Sequence, residues 1–255
     1  MQGSFLPFPE SNCTILRMVK AIPMRAAVCL LAVCCSITIF RTHLMRWEWR
    51  NGNFIPVNPQ PSIPARPLRE ADLNSDGKIE WVVFAGNRVF LQGAPGTLWS
   101  SPPEWKIEQA QITDLDHDGL PELTLLVWRT FAPWPIDSFL PHGGRIGDFH
   151  DAQNQSCHII LIGWRQGAFR ELWAGSALAE PVLNFNANDW NGDGRQELMS
   201  IETGYDQPSQ GKALSLWEWN GFGFSLLGRQ SIRIGKFVFL NGINENPSVL
   251  IDPAE

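Results

Sequence analysis

Short apolar runs alternate with polar, glycine-rich stretches along most of the chain after residue 45. The runs are rich in β-branched and aromatic residues, and they lack the 3.6-residue spacing of an amphipathic helix, so each is typical of a strand. They fall into sets of four: EWVVFAG, NRVFLQG, TLW and WKIEQAQIT; ELTLLVW, HIILIGW, AFRELWA and PVLNFNA; ELMSIE, ALSLWEW, FGFSLLG and GKFVFLN. The pattern predicts one all-β domain over residues 46–255.

A nine-residue polar pattern precedes each set of strands. It reads DLNSDGKIE from Asp72, DLDHDGLPE from Asp114 and DWNGDGRQE from Asp189. Oxygen-bearing side chains stand at positions 1, 3, 5 and 9, and glycine stands at position 6, where we expect a positive φ. This arrangement suits a loop wrapped around a hard divalent cation, and the richness in carboxylates favours Ca²⁺ over Mg²⁺.

Up to three Ca²⁺ ions are therefore expected, each held by four side chains and the backbone carbonyl of position 7. The predicted ligands of loop 1 are Asp72, Asn74, Asp76, Lys78 and Glu80. Those of loop 2 are Asp114, Asp116, Asp118, Leu120 and Glu122. Those of loop 3 are Asp189, Asn191, Asp193, Arg195 and Glu197.

Two other interpretations of the loops are possible. An EF-hand requires Glu at position 12 and flanking helices, whereas these loops have Val83, Leu125 and Ser200 there and are followed by strands, so the EF-hand is rejected. A polar turn without metal also uses Asp, Asn and Gly. Three copies with the same Glu at position 9 favour the cation loop.

The loops, each followed by a short apolar strand, resemble the FG-GAP/VCBS repeats of integrin alpha-chain-type β-propellers. In that family the loops run D-x-[DN]-x-D-G-x-x-[DE], and this chain differs in using Glu rather than the commoner Asp at position 9. The resemblance implies a calcium-binding β-propeller.

The spacing of the strands then predicts four blades of four antiparallel strands. After the third set only residues 248–252 remain as a strand, and loop-like residues 241–249 lack the ligands of the other loops. Near the N-terminus, Trp49 precedes Phe54 by five residues, as Trp219 precedes Phe224. We therefore expect the C-terminal strand to join three N-terminal strands in one blade, closing the ring and hiding its edges.

Residues 1–45 form a separate segment. The run AAVCLLAVCCSITIF, residues 26–40, is uncharged and lies between Arg25 and Arg41. Fifteen helical residues cover about 22 Å, less than the ~30 Å hydrocarbon core, so both a signal peptide and a membrane anchor fit. We expect export, with the domain outside the cytoplasm and attached to the membrane if the segment is uncleaved. Cys157 is the one cysteine beyond this segment, which excludes a disulfide within the domain.

An insertion over residues 129–157 carries the other candidate site. Its possible ligand- or partner-binding residues, with one adjoining histidine, are Trp134, His142, Asp148, His150 and His158. No catalytic motif frames them. The remaining tryptophans in apolar runs, such as Trp81 and Trp173, are expected to pack between blades.

The sequence therefore favours a non-enzymatic binding module for an unknown protein or glycan at the cell surface. A carbohydrate-binding lectin is the alternative, followed by a hydrolase or lyase using residues 129–158. With a net charge of −6 and no basic patch, the chain is not expected to bind nucleic acid.

Overall fold

The computed structural model describes residues 44–58, 62–132, 149–241 and 246–253. Every regular element in this part of the chain is a β-strand, which confirms the all-β prediction. The strands are β1 (Met45–Arg50), β2 (Asn53–Val57), β3 (Ile63–Pro64), β4 (Glu70–Ala71), β5 (Glu80–Ala85), β6 (Arg88–Gly93), β7 (Gly96–Ser100), β8 (Lys106–Thr113), β9 (Glu122–Thr130), β10 (Gln155–Arg165), β11 (Ala168–Ala174), β12 (Val182–Asn188), β13 (Glu197–Glu202), β14 (Gly211–Trp219), β15 (Phe224–Asn241) and β16 (Ser248–Pro253).

Within the described residues these strands form three antiparallel sheets. Two sheets have four strands each, in the orders β4-β5-β6-β7 and β11-β10-β9-β8. The third has eight strands in the order β12-β13-β14-β15-β16-β1-β2, with β3 paired to β15. We name the first two sheets group 1 and group 2.

The number of sheets differs from the predicted four because β15 is one continuous strand of 18 residues. Its first part, up to Ile234, pairs with β14, and its second part, from Ile234 to Leu240, pairs with β16. We therefore describe β12, β13, β14 and the first part of β15 as group 3. The second part of β15, with β16, β1 and β2, is group 4.

The two ends of the domain meet in group 4. Trp47 of β1 pairs with Val249 of β16 and with Pro56 of β2. A tryptophan in each of three hairpins packs edge-to-face on the phenylalanine five residues later, with ring centroids 5.0, 5.0 and 5.3 Å apart. These pairs are Trp49 with Phe54, Trp164 with Phe169 and Trp219 with Phe224.

The apolar core lies between consecutive groups. Leu125 and Leu126 of β9 face opposite sides, so one packs in the cluster between groups 1 and 2 and the other in the cluster between groups 2 and 3. A third cluster lies between groups 3 and 4 and includes Leu214 and Val249. Trp81 does not pack between blades as expected. It lies on the face of group 1 turned away from the cluster between groups 1 and 2, and it is 42% exposed.

Side chains also join groups 2 and 3 along their β8 and β12 edges. The Gln109 amide donates to the Phe185 carbonyl at 2.6 Å and accepts from the Phe185 N–H at 3.0 Å. Gln111 makes the corresponding pair of bonds with Ala187. Loop 2 follows β8 and loop 3 follows β12, so these bonds hold the two loops side by side.

The predicted export segment, residues 1–45, lies outside the described residues except for its last two positions. In the part of the chain that the structure covers, no helix has the length and apolarity needed to cross a membrane.

Candidate metal centre

The three acidic loops share one backbone conformation. Glycine at position 6 has a φ of 80° in Gly77, 84° in Gly119 and 87° in Gly194, as the sequence predicts. Ser75 and His117 at position 4 are also left-handed, with φ of 58° and 60°. These two left-handed turns direct successive backbone N–H groups toward the carboxylates of the loop, so the oxygens converge on its interior.

Loop 1 illustrates this convergence. The N–H groups of Asp76 and Gly77 donate to the two carboxylate oxygens of Asp72 at 3.1 and 2.9 Å. The Lys78 N–H donates to Asp76 at 2.9 Å. Loop 3 repeats these bonds, with Asp193 and Gly194 donating to Asp189 and Arg195 donating to Asp193.

The glutamate at position 9 is buried in every loop and holds the loop closed. Glu80, Glu122 and Glu197 are at most 2% exposed. Each accepts a hydrogen bond from the backbone N–H of position 2, at 2.8, 2.9 and 2.9 Å respectively. A glutamate is long enough to reach this N–H from the start of the following strand. This contact gives a structural reason for Glu at position 9.

Burial raises the pKa of all three glutamates. The pKa of Glu122 rises to about 8 and that of Glu197 to about 7, in both cases chiefly because burial disfavours the charged carboxylate. The pKa of Glu80 is raised for the same reason. Burial, followed by the neighbouring Asp118, also raises the pKa of Asp116. A bound cation would favour the charged forms and offset these costs.

Loops 1 and 3 satisfy their buried glutamates internally. Position 3 is asparagine in both, and its amide donates to the glutamate, from Asn74 to Glu80 at 3.3 Å and from Asn191 to Glu197 at 2.9 Å. The basic side chain at position 7 also pairs with the carboxylate at position 5. Lys78 lies 3.6 Å from Asp76, and the Arg195 guanidinium lies 3.1 Å from Asp193.

Loop 2 lacks both internal partners. Position 3 is Asp116, which as a carboxylate has no amide to donate, and position 7 is Leu120, which carries no charge. One oxygen of Glu122, Oε1, accepts from Thr113 and from the Leu115 N–H, but Oε2 is buried and has no hydrogen-bond partner among the described residues. A buried acceptor without a partner costs about 1–3 kcal/mol.

The carboxylates of loop 2 also come closest together. Asp114, Asp116 and Glu122 each place one oxygen within 4.8 Å of the others, and among the described residues this is the one such cluster of His, Cys, Asp or Glu side chains. Two of its internal bonds are longer than their counterparts in loop 1, at 3.3 Å from the Asp118 N–H to Asp116 and 3.4 Å from the Gly119 N–H to Asp114, against 2.9 Å for each in loop 1. The residues present therefore fit a hard divalent cation.

Contacts with loop 3 fix the position of loop 2. The Asp114 N–H donates to the side-chain oxygen of Gln196 at 3.0 Å, and the His117 ring nitrogen Nε2 donates to the Gln196 backbone carbonyl at 2.8 Å. Gln196 lies directly before β13. The sequence pattern gave no reason to select Gln196, because its role depends on the two loops being adjacent.

The residues predicted around the insertion do not form a comparable cluster in the described structure. His158 lies inside β10 and is 5% exposed; its Nδ1 donates to the Gly175 carbonyl at 2.9 Å and its Nε2 accepts from Ser156 at 2.7 Å. His150 donates to the Asp151 carbonyl and packs on Phe131. Trp134, His142 and Asp148 lie outside the described residues.

The pKa of His158 is lowered to about 4, chiefly because burial disfavours the imidazolium. With both ring nitrogens engaged and the ring neutral at pH 7, this side chain fits a structural role in the core.

A groove beside loop 2 was not apparent from the sequence. It has a volume of about 470 Å³ and lies between loop 2, the β10–β11 hairpin and the turn joining β14 to β15. Residues separated by about 100 positions line it, so no local pattern indicates it. A comparison of the chain with protein-family models and with curated proteins found no match.

Proposed function

We propose that this protein is an exported four-bladed β-propeller in which loop 2 binds Ca²⁺, and that it serves as a binding module without catalytic activity. The single observation that carries the calcium assignment is the unpartnered Oε2 of Glu122, buried beside Asp114 and Asp116.

The grouping of the strands supports the propeller part of this proposal. Groups 1 to 4 each contain four antiparallel strands, and an apolar cluster lies between each consecutive pair. The pairing of β1 with β16 unites the two ends of the domain in one group, as expected for a ring closed by its termini.

Ca²⁺ is the preferred ion because of the chemistry of the donors. Loop 2 offers four carboxylates, from Asp114, Asp116, Asp118 and Glu122, together with the Leu120 carbonyl. Ca²⁺ accepts six to eight oxygens in a flexible shell, whereas Mg²⁺ requires a near-ideal octahedron of shorter bonds. The cation would supply the positive charge that Lys78 and Arg195 supply in loops 1 and 3.

The three loops are therefore expected to differ in affinity. In loops 1 and 3 the asparagine amide must first turn away from the glutamate before both can ligate an ion. In loop 2 no such bond has to be broken. We propose that loop 2 has the highest affinity, and that loops 1 and 3 bind more weakly.

The absence of a catalytic role is proposed because the described histidines of the insertion are engaged in structural contacts. One observation favours the lectin alternative: Trp173 and Trp219 line the same groove as Asp116, Asp118 and Glu122 of loop 2.

Isothermal titration calorimetry of the purified full chain after chelator treatment tests the proposal. We expect one Ca²⁺ to bind first, and Asp116→Asn, which gives loop 2 the side-chain ligands of loops 1 and 3, to weaken that first site to the affinity of the other two. With a Kd of about 0.1 mM, typical of extracellular sites, 1 mM Ca²⁺ should add about 1.4 kcal/mol of stability from loop 2. No binding heat and an unchanged melting temperature would refute the calcium assignment. Protease accessibility of the domain in intact cells tests export.

A further inference from the structure

One wall of the groove beside loop 2 consists of the carboxylates that would hold the cation. Asp116, Asp118 and Glu122 all line it. A Ca²⁺ ion in loop 2 would therefore border the groove rather than lie sealed beneath the loop. Calcium sites complete their shell with water wherever protein oxygens are lacking, and such waters are replaceable by oxygens of a ligand.

Tryptophans also line the groove. Trp164, Trp173 and Trp219 are among the lining residues, and each is half-buried. The Trp164 ring packs on Phe169 beside the cluster between groups 1 and 2, so Trp173 and Trp219 are the indoles that offer ring surface to a ligand. Trp173 packs edge-to-face on Trp219 with ring centroids 5.6 Å apart, which fixes the orientation of both rings. Partly exposed indoles held rigidly in this way offer apolar surface to a ligand at little entropic cost.

The rim carries an aromatic side chain that does not contribute to the core. Phe222 is 89% exposed and lies on the turn between β14 and β15. The Asn220 side chain fixes this turn by accepting from the N–H groups of Phe222 and Gly223 at 3.0 and 2.9 Å. Phe222 lines the groove and so places apolar ring surface at its rim.

The charges around the groove select the type of ligand. The four carboxylates of loop 2 carry four negative charges. A divalent cation and Arg165, which also lines the groove, together carry three positive charges, so one negative charge remains. An anionic ligand would meet net repulsion there, so a carboxylate-bearing partner is disfavoured. A neutral ligand with paired oxygens can coordinate the ion without this cost, and its oxygens can accept from Arg165.

We infer that a Ca²⁺ ion in loop 2 binds vicinal hydroxyls of a neutral sugar, whose apolar ring face packs on the indoles of the groove. This inference rests on the proposed function and names the ligand of that site. A neutral sugar carries both of the groups that this groove can bind: adjacent hydroxyls can coordinate the cation, and an apolar C–H face can pack on Trp173 or Trp219.

Terbium luminescence of the full chain tests this inference. Tb³⁺ replaces Ca²⁺ in oxygen sites, and its lifetimes in H₂O and D₂O give the number of bound waters. Methyl glycosides of mannose, galactose and glucose serve as neutral probes, and glucuronate serves as the anionic analogue. We expect at least one glycoside to displace bound water and to bind at millimolar concentration in calcium, with glucuronate at least tenfold weaker.

Two variants separate the roles of cation and groove. Asp116→Asn should weaken cation binding at loop 2 to the level of loops 1 and 3 and weaken sugar binding with it. Phe222→Ser should leave cation binding unchanged and weaken sugar binding about tenfold, whereas Leu226→Ser, which changes a 47% exposed residue not among those lining the groove, should leave both unchanged.

The outcomes distinguish this inference from the proposed function. Cation binding at loop 2 with no glycoside binding and no displaced water overturns the sugar site while the proposed function stands. Glycoside binding that persists in chelator, or that is stronger for glucuronate, overturns the bridging role of the cation. Failure of loop 2 to bind Ca²⁺ or Tb³⁺ refutes the proposed function itself.

Discussion

The substitution Asp116→Asn should give loop 2 the internal hydrogen bonding of loops 1 and 3. An asparagine at this position can donate its amide to Glu122, as Asn74 donates to Glu80 and Asn191 to Glu197. The same change removes one of the three clustered carboxylates. We therefore expect a protein that is more stable without calcium and gains little from its addition.

The magnitude follows from the partner that Glu122 lacks. Satisfying one buried acceptor is worth about 1–3 kcal/mol, and a domain of this size gains roughly 2–4 °C in melting temperature per kcal/mol. In chelator the variant should melt at least about 2 °C above the wild type. In 1 mM Ca²⁺ the wild type should gain about 1.4 kcal/mol from this loop, and the variant should lose most of that increment.

Thermal unfolding followed by circular dichroism, with and without Ca²⁺, measures both effects. The pKa of Glu122, about 8 without metal, makes the assay pH-sensitive. Because this pKa is raised on folding, the stabilisation from the protonated carboxyl is present at acidic pH and is lost as the pH rises through about 8. The advantage of the variant in chelator should therefore be greater at pH 8.5 than at pH 6.

The reciprocal substitution is the matched control. Asn74→Asp should remove the amide donor to Glu80, lower stability in chelator and increase the response to calcium. If Asp116→Asn lowers the melting temperature in chelator, or if both variants respond to Ca²⁺ like the wild type, the assignment of the unpartnered Glu122 oxygen to a cation is refuted.

Three further perturbations test other parts of the structure. Deletion of residues 46–57 removes β1 and β2, so the chain should aggregate or melt without a sharp transition; a melt as sharp as that of the parent would contradict closure through group 4. His158, with its pKa lowered from 6.5 to about 4, is neutral when folded, so its contribution to stability should be lost as the pH falls from 6.5 to 4. Comparing His158→Gln with the wild type at each pH should show a smaller loss in the variant, and parallel pH profiles would refute this role. Gly119→Ala places a side chain at a φ of 84° in open space, so denaturant unfolding should show a loss of about 1 kcal/mol, and a gain would contradict the strained conformation.

Most strands could be predicted from the sequence because the apolar residues of each run are the ones that the folded strand buries. The run ELTLLVW lies in β9, which is buried on both faces, and EWVVF lies in β5, where buried and exposed residues alternate. The union of two predicted strands into β15 was not predicted, since Gly228 and Gly235 mark breaks in the local pattern. Pairing with β14 and then β16 maintains the extended backbone through both glycines.

The candidate site was predictable at the level of the loop but not of its partners. The spacing of acidic residues and the positive φ of Gly119 follow from local chemistry. The difference between Asp116 and Asn74 is visible in the sequence, yet its consequence depends on how the glutamate at position 9 folds back onto the loop. The groove depends on three hairpins meeting in space, which local periodicity does not encode.

The order in which the strands of group 4 are synthesised determines when the domain can complete its fold. Its strands come from both ends of the domain, and Arg46 of β1 bonds to Ser248 of β16 across 202 positions of sequence. At synthesis rates of about 5–20 residues per second, β1 and β2 wait roughly 10–40 s for their partner strand. During that interval the Trp47 and Trp49 hairpin has no completed sheet to join, and an unpaired strand edge remains open to other chains. Translation of β16 therefore completes group 4, so the loss of β16 would affect the first strands of the domain as severely as β15.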